Sequence, residues 1–198
     1  MKIGILSIQG DFAAHAVTLH SLGAPTLEVR TVADLRKSDA LILPGGESTT
    51  QLQFLQEEGL FDSIRQFAAK GRPIFGTCAG AILLAAHVKN PPQPSLALLD
   101  MTILRNGYGR QLASDVFFGP TTLKKDPLEM VFIRGPIIES LAPGITVLAK
   151  LNGSPTLVQK DNLLAATFHP ELTTDPTVHQ HFLSLLSNHT STKRSRHL

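Results

Sequence analysis

Tryptophan is absent from this chain of 198 residues, and cysteine occurs once, at Cys78. A single thiol excludes an intramolecular disulfide framework and suits a reducing compartment. Long apolar runs are missing as well, since none approaches the roughly 18 residues needed to cross a bilayer. The apolar start, Met1 to Ile8, is too short for a secretory signal and is stopped by Gln9-Gly10-Asp11. A cytoplasmic protein is therefore expected. Charge of one sign is also lacking: the formal total is +2, with 17% charged residues, so there is no general case for nucleic-acid binding. The one local bias is the basic end Lys193 to Leu198, read as part of a frayed, disordered tail over 189–198, with a basic docking arm as the alternative. HxxxH spacing, a second cysteine and clustered carboxylates are not found, so no metal is expected. Gly107-Tyr108-Gly109 lacks the spacing and helical context of a dinucleotide fingerprint, nothing resembles a P-loop, and no cofactor is expected.

What remains is an ordinary globular composition, 42% hydrophobic, in a chain long enough for one domain, taken as residues 1–188. Continuously apolar segments read as strands buried on both faces: residues 2–8, Asp39 to Leu43, Ile74 to Thr77 and Leu163 to Phe168. Thr26 to Arg30 adds another. Helical stretches lie between them: Asp11, as N-cap, to Leu22; Thr50 to Glu57; Phe61 to Lys70; Cys78 to about His87; and Asp175 to about Asn188. Alternation of this kind predicts an α/β fold with an open, mostly parallel sheet and helices on both faces. Between Leu96 and Lys160 shorter β-like pieces, including Leu112 to Phe118 and Leu128 to Ile133, predict an additional antiparallel section.

Three unusual loops follow apolar strands, and parallel neighbours would bring their carboxyl ends to one edge. The first is Gly76-Thr77-Cys78-Ala79-Gly80, where flanking glycines permit a strained corner between strand and helix. Cys78 is either a nucleophile displayed at that corner or a small buried hydrophobe. The second is His169-Pro170-Glu171. Proline keeps the tripeptide extended, so His169 and Glu171 lie side by side and the carboxylate can orient the imidazole. The competing reading makes His169 a strand-end histidine and Glu171 a charge at a helix start. The remaining histidines are read as surface or structural. The third loop, Pro44-Gly45-Gly46-Glu47-Ser48, is either a plain turn or the source of the Gly46 N–H that joins the Ala79 N–H in an oxyanion hole.

Taken together, these loops resemble class I, triad-type glutamine amidotransferases. Four further segments narrow the resemblance to the glutaminase subunits of pyridoxal 5′-phosphate synthases: Leu6 to Phe12, Arg105 to Gln111, Phe132 to Pro136, and Ala165 to Thr173. The resemblance implies a flavodoxin-like sheet and hydrolysis of L-glutamine to glutamate and ammonia. It implies catalysis by Cys78, His169 and Glu171 through a glutamyl thioester, with Gly46 and Ala79 at the oxyanion. Glutamine would be held by Gly46, Glu47, Ser48, Arg105, Ile133 and Arg134. Ammonia would pass to a barrel-shaped synthase subunit in a large hetero-oligomer, with Gln9, Gly10 and Asp11 facing that partner. Gly107 and Gly135 stand where alanine is expected, which would loosen two loops beside substrate contacts. Other enzymes of similar build remain as alternatives, among them a γ-glutamyl hydrolase and a cysteine peptidase, although the latter group commonly has histidine directly after the cysteine, where this chain has Ala79. A binding module that has lost activity is the third reading.

Overall fold

In the computed structural model, residues 1–107 and 114–195 are described, without the side chains of 187–195. The continuous apolar runs form the centre of a seven-stranded sheet. Strand β1 (Ile3–Leu6) lies between β2 (Thr26–Val29) and β3 (Ala40–Leu43), followed by β4 (Ile74–Thr77). Because side chains alternate across a strand, both faces of these strands must be covered. Leu41 and Leu43 pack on one face with the helices that follow, whereas Ala40 and Ile42 pack on the other.

The first face carries α2 (Val32–Arg36), α3 (Ser48–Glu57), α4 (Leu60–Ala69) and α5 (Ala79–Leu84), whose Leu35, Leu55, Ile64 and Leu83 are buried there. The opposite face carries α1 (Phe12–Ser21) and α6 (Thr177–Ser195), through Leu19 and Phe182, with an antiparallel ribbon of β7 (Ser114–Gly119) and β8 (Leu128–Ile133). The antiparallel section is thus partly separate and partly continuous with the main sheet. After β4 come β12 (Leu163–Ala166), parallel to it, and then the antiparallel edge of β11 (Ser154–Lys160) and β10 (Thr146–Leu151). A small sheet of β5 (Ala85–Lys89), β6 (Leu99–Leu104) and β9 (Ile137–Leu141) completes the described part.

Several elements differ from the sequence reading. Helix α5 stops at Leu84 rather than near His87, because Ala85 turns extended (ψ 143°) and its strand pairs with β6. Helix α2 and strand β9 were not anticipated. The former is short but carries a complete capping box between Thr31 and Asp34. Helix α6 continues to Ser195 instead of ending near Asn188, so residues 189–195 of the expected tail have helical backbone. Residues 196–198 of that tail lie outside the described residues, as do Tyr108 to Gln111 of the Arg105 segment and the start of the expected Leu112 strand. No described helix is long and apolar enough to cross a membrane.

Candidate active site

Strands β12, β4, β3 and β1 are consecutive and parallel, so their carboxyl ends share one edge of the sheet. All three expected loops emerge there, joined by Gln9-Gly10-Asp11 after β1. At the end of β4 the chain turns on Cys78, with φ 48° and ψ −103°. A non-glycine residue in that region carries strain of order 1–3 kcal/mol, which the surroundings must hold. Here the Cys78 N–H donates to the Ala166 carbonyl at 2.8 Å, and the Ile82 N–H donates to the Cys78 carbonyl at 3.2 Å. A Cβ at Gly80 would lie 1.9 Å from the Leu43 carbonyl oxygen, so only glycine lets α5 start pressed against β3. Cys78 is 7% exposed, and its thiol lies at the long distance of 4.0 Å from the Ile133 carbonyl oxygen.

His169 follows β12 and is fixed by its own N–H, which donates to the Val131 carbonyl at 2.8 Å. Pro170 opens a 3-10 turn (Pro170–Leu172) in place of the extended tripeptide read from the sequence. The pairing nevertheless forms: Nδ1 of His169 lies 2.8 Å from Oε1 of Glu171, and both side chains are buried. The Cys78 thiol interacts with the same ring, whose Nε2 has no hydrogen-bond partner among the described residues. Burial alone would lower the pKa of His169, but Cys78 and Glu171 outweigh it and push it up to about 10. Burial pushes the Glu171 carboxyl up, partly offset by the bond to His169. On the other side of the ring, Gly45 has no room for a side chain, since a Cβ would come within 2.3 Å of the imidazole Cε1.

Asp11 stands at the start of α1 but makes no side-chain cap; its carboxylate lies 3.6 Å from Nδ1 of His169. The fold thereby assembles Asp11, His169 and Glu171 into a cluster of potential metal ligands, which the sequence, having no adjacent carboxylates, did not suggest. Nδ1 is the nitrogen already engaged by Glu171, so an ion there would compete with that bond.

Cys78 and His169 open into a cavity of about 320 Å³ that is also lined by Gly46, Glu47, Ser48, Arg105, Ile133 and Arg134. The six residues expected to bind glutamine therefore line one space, whereas Ala79, expected at the oxyanion, is not among the lining residues. Arg105 donates to Glu47 Oε1 at 3.1 Å, while Glu47 Oε2 caps α3 through the Thr50 N–H at 2.8 Å. Burial would raise Glu47, but the Thr49 and Thr50 donors hold its carboxyl at about 2. Gln9 Nε2 donates to the Glu47 carbonyl at 3.0 Å, tying the loop after β1 to the glycine loop. Asn106 and Ile82 also line the cavity. Neither was anticipated, although one follows Arg105 directly and the other lies one helical turn after Cys78. Gly107 and Gly135 do not loosen their surroundings. A Cβ would meet Ile137 Cγ1 at 2.4 Å in the first case and the Thr167 carbonyl oxygen at 2.7 Å in the second, so both positions are tightly packed.

Behind Glu171 lie two histidines that the sequence pattern assigns to surface or structural roles. His15 of α1 and His179 of α6 are fully buried, 164 positions apart, with His15 Nδ1 at 2.9 Å from His179 Nε2. His15 Nε2 lies 3.2 Å from Thr77 Oγ1 and 3.5 Å from Glu171 Oε2. Phe75 meets both rings edge-on. The available signal was positional: His15 precedes Leu19 by one turn on the buried stripe of α1, and His179 precedes Phe182 on that of α6.

A profile of the SNO glutamine amidotransferase family matches residues 5–188. The chain belongs to this family. Among curated members it is 48% identical to the pyridoxal 5′-phosphate synthase subunit PdxT of Koribacter versatilis over 188 residues, 95% of this chain and 97% of that one. It is 44% identical to PdxT of Thermotoga maritima over 187 residues, 94% of this chain and all of the other. The crystal structure of a glutamine amidotransferase superposes with a TM-score of 0.88 at 42% identity, covering 93% of this chain and 98% of that one. The α/β architecture is therefore that of glutamine amidotransferases, and the family's sequence match ends where α6 passes residue 188.

Proposed function

We propose that this chain is the glutaminase subunit of a pyridoxal 5′-phosphate synthase, working as a single amidotransferase domain over 1–188 with a Cys78–His169–Glu171 triad. The observation that carries the reading is one cavity lined both by Cys78 and His169, the latter paired with Glu171, and by the Glu47–Arg105 pair. L-Glutamine suits both sets: its α-carboxylate complements the arginines, its α-ammonium complements Glu47, and its carboxamide is left to the sulfur.

In this reading Glu171 accepts the Nδ1–H of His169, and Nε2 takes the thiol proton before attack. The result is a thiolate beside a protonated imidazole, the state that a His169 pKa raised to about 10 favours. The sulfur bonds to the carboxamide carbon, and the resulting oxyanion is held by the N–H groups of Gly46 and Ala79. Ala79 opens α5, so its N–H has no partner within the helix. Protonated His169 gives its proton to the departing nitrogen, the C–N bond breaks, and ammonia leaves. Water then attacks the thioester with His169 as base, the C–S bond breaks, and glutamate and the thiol are regenerated. Ammonia passes to a barrel-shaped synthase subunit in a hetero-oligomer, toward which Gln9, Gly10 and Asp11 face. A cytoplasmic setting belongs to the same reading, because the lone cysteine must stay reduced to act.

The test is glutamate and ammonia formation from glutamine with and without the synthase subunit. Activity is expected to be weak alone, to rise with the partner, and to vanish in Cys78→Ala. Glutamate release from γ-glutamyl peptides without ammonia from glutamine would replace this reading by a γ-glutamyl hydrolase.

A further inference from the structure

Glu171 is buried, and its Oε2 has no hydrogen-bond partner among the described residues, although His15 Nε2 faces it at 3.5 Å. A buried carboxylate oxygen in that state is unfavourable unless the facing ring offers it a proton. Which tautomer His15 adopts therefore decides whether the contact helps or harms.

The bonding around His179 settles the tautomer. Its Nδ1 is buried without a partner, while Nε2 meets His15 Nδ1. If His15 Nδ1 carried the proton, neutral His179 would have to place its own N–H on Nδ1, orphaned in the core. His15 Nε2 would then turn a lone pair toward Glu171. If instead His179 Nε2–H donates to His15 Nδ1, only an acceptor is left unpaired, which costs less than a lost donor. His15 then carries its proton on Nε2, where Thr77 Oγ1 and Glu171 Oε2 share it. Charging either ring is opposed by complete burial.

We infer that His15 is a positioning residue for the reaction: held in one tautomer by His179, it donates to Glu171 Oε2 and so keeps that carboxylate ionised and aimed at His169. Thr77, which immediately precedes Cys78, ties the same ring to the elbow. The titratable groups around His15 are Glu171 and His169 in front, with Asp11 beside them at the entry to α1, and His179 behind. Loss of the His15 donor makes Glu171 a poorer partner for protonated His169. The Cys78 proton is then harder to transfer, and the sulfur becomes reactive only at higher pH.

This inference rests on the glutaminase reading, so the test uses one readout that needs glutamine and one that does not. Glutamine turnover by the complex with the synthase subunit, and the pH midpoint of Cys78 alkylation by iodoacetamide, are measured for the wild type, His15→Leu, His15→Gln and His179→Leu. A wild type without turnover sinks the glutaminase reading while the alkylation midpoints still judge the role of His15. For His15→Leu the expectation is a roughly 10- to 100-fold fall in kcat with little change in KM, and a midpoint raised by about half a unit or more. His15→Gln, whose amide can donate from the same place, recovers most of both. His179→Leu shifts both in the same direction by less, and it carries the test should His15→Leu not fold. A lower melting temperature with unmoved midpoints in the folded variants would show a purely structural role and overturn the inference.

Discussion

The two walls of the cavity are built on opposite principles. The rear wall consists of Cys78 and His169, backed by Glu171, His15, His179 and Thr77, all buried and supplied by strand ends or by helices packed on the sheet. The front wall consists of loop residues, with Glu47 about half exposed and Ile133 and Arg134 exposed at the end of β8. Behind, polar groups are fixed before any substrate arrives, so little reorganisation is needed during reaction. In front, Glu47 and Arg105 hold each other across the entrance, and each has an opposite charge that a zwitterionic amino acid can replace. On the proposed function, chemistry is preassembled and recognition is exchangeable.

The strongest test of that contrast removes the rear chemistry. Cys78→Ala, His169→Asn or Glu171→Gln is expected to lower glutamine turnover by roughly 10³-fold or more, with substrate affinity nearly retained. Glutamine binding to Cys78→Ala, followed calorimetrically, separates the two effects; a variant that loses binding as well would dissolve the distinction between the walls.

A second test concerns the acid limb of stability. His15 lies well below its ordinary pKa and His179 is lowered to about 4, both first of all by burial. The unfolded chain binds protons at these rings near pH 6.5 while the folded chain does not, so stability is present above that pH and is lost as pH falls toward 4. His179 alone accounts for about 3 kcal/mol of this loss. Denaturant unfolding at pH 7 and pH 4.5 should show a shallower loss in His179→Leu than in the wild type. His169 has the opposite sign: with its pKa raised to about 10, its contribution is complete below pH 6.5 and fades as pH rises through 10.

The smallest expected effect on the fold comes from the front. Arg105→Ala should raise KM for glutamine about 10- to 100-fold while kcat changes little. It should also leave stability within about 1 kcal/mol, because its ion-pair partner Glu47 is about half exposed and screened by water. Arg105→Lys should recover part of the affinity but not a bidentate grip. A melting temperature that falls as far as it does for a rear-wall variant would remove the asymmetry.

Much of the strand framework was legible because continuous apolar runs bounded by glycine and proline have few alternatives. The errors fell where local signals compete. Leu84 and Ala85 suit helix or strand, and the pairing of β5 with β6 decides between them. Asp11 looked like a cap because N-cap chemistry is local, yet its carboxylate is drawn to His169 by the contact between α1 and the turn after β12. The apolar Val17 of α1 is 70% exposed, and the polar His15 takes a buried place.

What the sequence by itself determined was the chemical inventory and its punctuation: one thiol between glycines, a histidine and a glutamate across a proline, a double-glycine loop, and the strands that precede each. Only the tertiary structure decided that these loops share one edge, that Asp11 joins them, and that His15 and His179 stand behind Glu171. The physical reason is that local preferences fix backbone conformation within a few residues. The burial, tautomer and partner of a side chain depend instead on which strands become neighbours and in what register, and the whole sheet must form before those are set.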